Sequence, residues 1–192
     1  MKELDRKKDL ILERERFFAN AVGSAVFEKP AISLWMILVP ILLMHFIYSM
    51  QKYKTGRLKF DEEFMATRRQ AMDVAVDAVE TGIRPDLDHV VRDFNLRAAL
   101  EKPYAAWMRV LVEYYMNLLR SNGETFDDLV RSAFRNRGDF LLTLNRLNTV
   151  EKDFYEVLKP QIASTEGAAD IIATIVIHSQ RLRRELAEQI FP

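Results

Sequence analysis

The chain has 192 residues, including 28 Lys or Arg, 28 Asp or Glu and no cysteine, and its formal net charge is zero. This balance argues against a polyanion-binding protein, and the absence of cysteine excludes disulfide bonds, thiolate zinc sites and cysteine nucleophiles. A hydrophobic fraction of 49% with only 6 glycines and 6 prolines is ample for a core, and the length fits one ordinary domain plus an anchor.

Residues 1–30 predict a charged, amphipathic N-terminal helix. Leu4, Ile11, Phe18 and Ala25 recur every seven residues and form one apolar stripe. Three environments remain open for this helix: the surface of a membrane, the C-terminal domain of the same chain, and a helix of a partner protein.

Residues 31–50 contain no Asp, Glu, Lys or Arg. Twenty helical residues cover ~30 Å, which is the thickness of the hydrocarbon layer of a bilayer. Trp35 and Tyr53 would place one aromatic ring near each headgroup layer. The sequence therefore predicts a transmembrane helix at 31–50. Two alternatives remain, namely a hairpin or re-entrant segment broken at Pro40, and a helix buried in a soluble core.

Residues 51–57 predict a basic juxtamembrane linker. No acid occurs between Met50 and Asp61, whereas four basic residues do. By the positive-inside rule, we expect a bacterial-type inner or plasma membrane with the C-terminal domain in the cytoplasm. The residues expected to anchor the chain in the bilayer are Trp35, Pro40, Tyr48, Lys52, Tyr53, Lys54, Arg57 and Lys59. Within the apolar run, Pro40 predicts a tolerated kink and His45 an interfacial group.

Residues 58–192 follow a helical period throughout and predict an irregular bundle of about six helices, so the fold class is all-α. We expect four longer helices at 58–81, 103–121, 139–159 and 166–190, and shorter ones starting near Asp86 and after Thr125. Gly82 is the expected C-cap of the first of these helices, and Pro103 the expected start of the third.

Helix caps are also expected at the two short connections that follow. Thr125, with Asp128 three residues later, predicts a near capping box. In the tripeptide Arg137-Gly138-Asp139, Gly138 is the expected left-handed C-cap of one helix and Asp139 the expected N-cap of the next. This use of the three residues is preferred to an adhesion motif.

Candidate chemistry is sparse in this sequence. Asp86 and His89 have the spacing of one di-iron ligand pair, but no second copy exists, and His178 follows an apolar run that favours a structural, hydrogen-bonded role. No catalytic, cofactor-binding or metal-ligating residue is assigned. Two basic groups are expected to form solvated faces, with contact to anionic lipid as the alternative: Arg131, Arg135 and Arg137, and Arg181, Arg183 and Arg184.

The function predicted from these features is that of a non-enzymatic, membrane-anchored interaction module, a scaffold or an assembly or regulatory subunit. Its expected partners are the lipid bilayer and proteins of a membrane complex, with no cofactor and no nucleic acid, and homo-oligomers remain open. The first alternative is a bundle that binds a lipid or small ligand in a cavity near the aromatic residues of helix 103–121, which are Tyr104, Trp107, Tyr114 and Tyr115. An enzyme or metal protein that uses His89, His178 or buried carboxylates is the second alternative.

Overall fold

The computed structural model describes residues 2–27, 56–87, 91, 96–162 and 168–192. Within these ranges all regular structure is helical and no strand occurs, which confirms the predicted all-α bundle. No helix in the described ranges combines the length and the apolar character that a membrane crossing requires. The predicted transmembrane residues 31–50 lie outside these ranges, as do Lys52, Tyr53 and Lys54.

The structure describes six α-helices and one 3-10 turn with both of their ends, and the single residues Leu87 and Val91 are also helical. The bounds of the helices and the turn are Lys2–Phe27 (α1), Gly56–Thr81 (α2), Ala98–Arg120 (α3), Phe126–Ala133 (α4), Arg137–Leu158 (α5), the 3-10 turn Lys159–Gln161, and Ala168–Ile190 (α6). Arg57 and Lys59 belong to the first turn of α2. The last two residues of the linker expected at 51–57, Gly56 and Arg57, are therefore part of helix α2.

The sequence predicted the end of α2 correctly but not the start of α3. Gly82 follows α2 with a φ of 70°, the left-handed conformation expected of a C-cap glycine. The expected start of a helix at Pro103 is wrong, because α3 begins at Ala98 and contains Pro103. The earlier start buries Leu100 in the core, and this burial opposes the loss of one backbone hydrogen bond at the proline.

The expected caps between α4 and α5 are also wrong at Gly138 and Asp139. Helix α4 already ends at Ala133, and the side chain of Asn136 accepts a hydrogen bond from the Asp139 backbone N–H at 3.0 Å. Asn136 is thus the N-cap, and Gly138 lies in the first turn of α5. Asn and Asp are about equally favourable as N-caps, so residue type alone could not distinguish Asn136 from Asp139.

Helix α1 runs antiparallel to α2. Lys8 forms an ion pair with Asp73 at 2.8 Å, Glu15 with Arg68 at 2.8 Å, and the rings of Phe18 and Phe64 lie 6.1 Å apart between centroids. As the residue number on α1 rises, the residue number of its partner on α2 falls. The C-terminal end of α1 and the N-terminal end of α2 consequently lie at the same end of the bundle, which we name the proximal end.

Helix α3 runs parallel to α2. The first turns of α1 contact the C-terminal part of both helices, since Lys7 donates to the Leu119 carbonyl while the neighbouring Lys8 pairs with Asp73. The hydroxyl groups of Thr67 and Tyr104 are 3.4 Å apart, in the earlier part of each helix. The C-terminal end of α2 and the N-terminal end of α3 therefore lie at opposite ends of the bundle.

Helices α5 and α6 complete the bundle, α5 beside α3 and α6 between α5 and α1. Trp107 of α3 packs on Phe154 of α5, and Glu113 pairs with Arg146, so α5 is antiparallel to α3. Helix α6 is antiparallel to α5 and returns beside α1, where the Arg183 guanidinium lies 5.0 Å from the Phe18 ring centre. The five long helices thus surround one core.

That core includes α1 as well as the residues after 58. Ile11, Ala19, Val22 and Val26 of α1 are buried in the same apolar cluster as the central helix α3. Of the three environments left open for the N-terminal helix, the described structure has it packed against helices of the same chain. Phe17, by contrast, is exposed to solvent although it neighbours Phe18 of the apolar stripe.

Candidate functional site

Four charged side chains from four different helices meet inside the bundle: Glu15 of α1, Arg68 of α2, Glu151 of α5 and Arg183 of α6. We name them the buried ion network. The Arg68, Glu151 and Arg183 side chains are only 1%, 3% and 5% exposed, and Glu15 is 14% exposed. Each of these residues lies on the apolar face of its helix, which is why the fold brings them together.

The network is connected by short contacts. Arg68 Nε donates to Glu15 Oε2 at 2.8 Å, and Arg68 Nη2 lies 3.5 Å from Glu151 Oε1. Arg183 Nη1 donates to the other oxygen of Glu151 at 2.6 Å and to Asn148 Oδ1 at 2.5 Å. Glu151 therefore joins the two arginines, and the two positive and two negative charges balance.

Aromatic rings complete the surroundings of both guanidinium groups. The Arg68 guanidinium lies 3.7 Å from the centre of the Phe64 ring, and Phe18 is shared between Arg68 and Arg183 at 5.6 and 5.0 Å. Such cation–π contacts stabilise a desolvated guanidinium, more so than at an exposed site. The rings therefore replace part of the water that the two cations lose on burial.

Burial and charge also shift the proton affinities of groups around the network. Burial alone would lower the pKa of Arg68, but the carboxylates of Glu15 and Glu151 outweigh it and raise the pKa above its ordinary value. Burial, together with the charge of Glu15, raises the pKa of Tyr115 well above its usual range. The Tyr115 hydroxyl therefore stays protonated at ordinary pH values.

This arrangement suits positioning of helices better than acid–base chemistry. Both carboxylates are held by arginines, and the two charge pairs link four helices. Within the described ranges, no three His, Asp or Glu residues are grouped to hold a metal ion. Because the four side chains come from four helices, their contacts form only when these helices meet in this register.

A small apolar pocket adjoins the network between α1 and α6, and we name it the α1–α6 pocket. Its volume is about 110 Å³, below the ~300 Å³ of typical small-molecule sites. Phe17, at its rim, is 64% exposed, and the Arg14 guanidinium lies 5.6 Å from the centre of its ring. The walls include Phe18, Ala21, Tyr114, Phe126, Leu182 and Leu186. The pocket has room for about one apolar side chain.

The aromatic residues of α3 are parts of the core. Trp107 lies 6.0 Å from Tyr104 and 5.3 Å from Phe154 between ring centres, and all three are buried. Tyr114 packs on Phe140 and reaches the α1–α6 pocket. Burial raises the pKa of Tyr104 to about 12, so this phenol also remains neutral. The expected ligand cavity near these rings therefore reduces to the space beside Tyr114.

Of the three histidines, only His178 lies within the residues that the structure describes. His45 and His89 lie outside the described residues. His178 is only partly buried, and its Nδ1 lies 3.3 Å from Nη2 of Arg181 on the same helix. It is a surface residue with a polar neighbour.

The two groups of arginines, predicted to be solvated, differ from that prediction at Arg183, which is buried. Arg131 Nε donates to the carbonyl of Ile190 at 3.2 Å and so ties α4 to the end of α6. Arg135 pairs with Asp139 at 2.8 Å, and Arg181 with Glu185 at 3.6 Å. Arg137 and Arg184 are exposed.

The fold and site define an all-α bundle built around a charge-balanced internal network. Compared with protein-family models, with curated proteins and with solved structures, the chain shows no match. Its function is therefore inferred from its residues and their geometry.

Proposed function

We propose that the protein is a non-enzymatic helical module that is attached to a membrane through residues 31–50 and binds other proteins there. The observation that carries the membrane part is the uncharged run of 20 residues, whose flanking helices α1 and α2 pack against each other. An uncharged apolar run of this length is typical of a membrane-embedded segment.

The pairing of α1 with α2 favours a particular topology for this attachment. A single crossing would put Phe27 and Gly56 on opposite faces of a ~30 Å hydrocarbon layer, where Glu15 could not reach Arg68. Entry and exit on one face keep both helices in one bundle. We therefore take the alternative in which the run re-enters at Pro40, and not the single crossing, with the proximal end of the bundle facing the membrane.

Membrane attachment is tested by replacing residues 28–55 with a flexible linker of about six residues, a length that commonly joins antiparallel helices. We expect the full chain to remain with membranes after a carbonate wash and the linker variant to be soluble, helical and cooperatively folded. A full chain that stays in solution without detergent contradicts the proposal. So does an unfolded linker variant, which would make the run part of a soluble core.

Topology is tested with single cysteines, since the natural chain has none. Asn20→Cys and Glu62→Cys lie at exposed positions of α1 and α2. In sealed vesicles of one orientation, a membrane-impermeant maleimide should label both variants or neither. Labelling of only one of them would support a single crossing instead.

The protein-binding part of the proposal is supported by the α1–α6 pocket, because exposed aromatic residues beside an apolar pocket are typical of binding hot spots. Phe17→Ser should remove specific cross-links to membrane proteins. Ile83→Ser is a matched control, since Ile83 is 70% exposed and does not line this pocket. Equal loss in both variants, or in neither, would count against the pocket as the binding surface.

A further inference from the structure

A second and larger cavity, which we name the arginine cleft, lies between residues 82–87 and one face of α3. Its volume is about 460 Å³, within the range of small-molecule sites. Arg109, Val112, Met116 and Arg120 follow the α3 wall with helical spacing. The cleft is a separate feature from the buried ion network and the α1–α6 pocket.

Positive charge predominates in the arginine cleft. Arg84, Arg109 and Arg120 line it, against the acids Asp86 and Glu113. Glu113 is already paired with Arg146 at 3.1 Å. Arg84 and Arg120 are exposed and form no ion pair or hydrogen bond with any residue that the structure describes. Two guanidinium groups thus remain available to an anion on opposite walls of the cleft.

The floor of the same cleft is apolar. Leu87 and Val112 are buried beneath it, and Met116 is partly buried beside them. A bare inorganic ion would gain nothing from such a floor, whereas a ligand with an organic group would bury apolar surface there. The surroundings therefore suit a ligand with an anionic head and an organic body.

We propose that the arginine cleft binds a small organic phosphate, with the phosphate held by Arg84 and Arg120. Guanidinium groups match the geometry of phosphate oxygens and form charge-assisted hydrogen bonds with them. Such an organic phosphate could be a soluble metabolite or the headgroup of a lipid. The cleft begins at Gly82, beyond the far end of the 26-residue helix α2, ~39 Å from Gly56, and this distance favours the soluble source.

The experiment is calorimetric titration of the full chain, in nanodiscs of zwitterionic lipid, with phenyl phosphate and with inorganic phosphate. We expect saturable binding of phenyl phosphate and weaker binding of inorganic phosphate. The double variant Arg84→Gln/Arg120→Gln should weaken phenyl phosphate by about tenfold or more. The control Arg69→Gln/Arg137→Gln removes two exposed arginines elsewhere and should leave binding unchanged.

Several results would overturn the proposal. These are the absence of saturable binding, an equal loss in both double variants, and inorganic phosphate binding as tightly as phenyl phosphate. Nanodiscs with anionic lipid form the last arm. If anionic lipid displaces phenyl phosphate from the natural chain, the occupant is a headgroup and the soluble ligand is wrong. Thermal unfolding of each variant confirms that exposed arginines were replaced without loss of the fold.

Discussion

At the scale of single residues, Glu151 is the side chain on which both buried arginines converge. Replacing it by the nearly isosteric glutamine keeps the volume and removes the charge. Arg68 would then keep Glu15, but Arg183 would lose its ion pair with Glu151, and an uncompensated buried cation is strongly destabilising. We expect Glu151→Gln to lower the free energy of unfolding by about 3 kcal/mol, measured by urea denaturation followed by circular dichroism.

The control for this prediction is Glu113→Gln. Glu113 also pairs with an arginine on another helix, at 3.1 Å, but the two side chains are 44% and 57% exposed. Exposed ion pairs contribute at most about 1 kcal/mol. Similar losses for Glu151→Gln and Glu113→Gln would show that burial of the network has no special energetic role.

Two glycines offer a second prediction at this scale. A Cβ on Gly123 would lie 2.6 Å from the Cβ of Asp128 and 2.7 Å from the backbone nitrogen of Leu129, so α4 would have to move. Gly82 has open space but a φ of 70°. We expect Gly123→Ala to cost about 2 kcal/mol through overpacking and Gly82→Ala about 1 kcal/mol through backbone strain. The reverse order of the two denaturation midpoints would contradict this explanation.

At the scale of elements, the short helix α4 depends on its capping box. The Thr125 hydroxyl accepts from the Asp128 backbone N–H at 3.2 Å, and the Asp128 carboxylate accepts from the Thr125 N–H at 3.1 Å. Losing an N-cap commonly costs about 1 kcal/mol. We expect this loss for Thr125→Ala and little change for Thr125→Ser, which keeps the hydroxyl.

The same cap predicts a pH dependence. The hydrogen bonds from the Thr125 hydroxyl and backbone hold the pKa of Asp128 below its ordinary value of 3.8. A group whose pKa is lowered by folding stabilises the folded state above its unfolded pKa, and this contribution disappears as pH falls through the folded pKa. The difference in stability between natural chain and Thr125→Ala should therefore shrink below pH 3.8. A pH-independent difference would show that the carboxylate does not contribute.

The elements also show how far sequence patterns reach. Apolar residues at helical spacing form the buried face of α5, from Phe140 through Phe154 to Leu158. Glu151 lies on that face, as Arg183 does on the face of α6 beside Ile175 and Ala187. A prediction from hydrophobic periodicity nevertheless assigns charged residues to the solvent-exposed face of a helix. A charged residue at an apolar stripe position on each of four helices was the available signal. Their pairing depends on tertiary contacts and is absent from any local pattern.

At the scale of the whole molecule, the direction of the helices was the least predictable feature. In the parallel arrangement of α2 and α3, the end of α2 and the start of α3 lie at opposite ends of the bundle. The short helix predicted from near Asp86 could have spanned that distance, but its direction could not be predicted from its spacing of apolar residues. Likewise, the stripe of α1 fitted three environments equally. Its packing became clear only when Glu15 was seen against Arg68.

The place of α1 in the shared core gives the last prediction. Without residues 1–27, Arg68 would lose its contact with Glu15, and the sites that cover Ile11, Val22 and Val26 would be exposed to water. Exposed core surface and an unpaired buried charge both destabilise a small bundle by several kcal/mol. We expect residues 56–192 alone to lose cooperative thermal unfolding, and a peptide of residues 1–27 added in trans to restore it. The peptide with Ile11→Asp is the control and should fail to do so. A fragment 56–192 that unfolds cooperatively at the temperature of the full chain would show that α1 is an accessory to an independent domain.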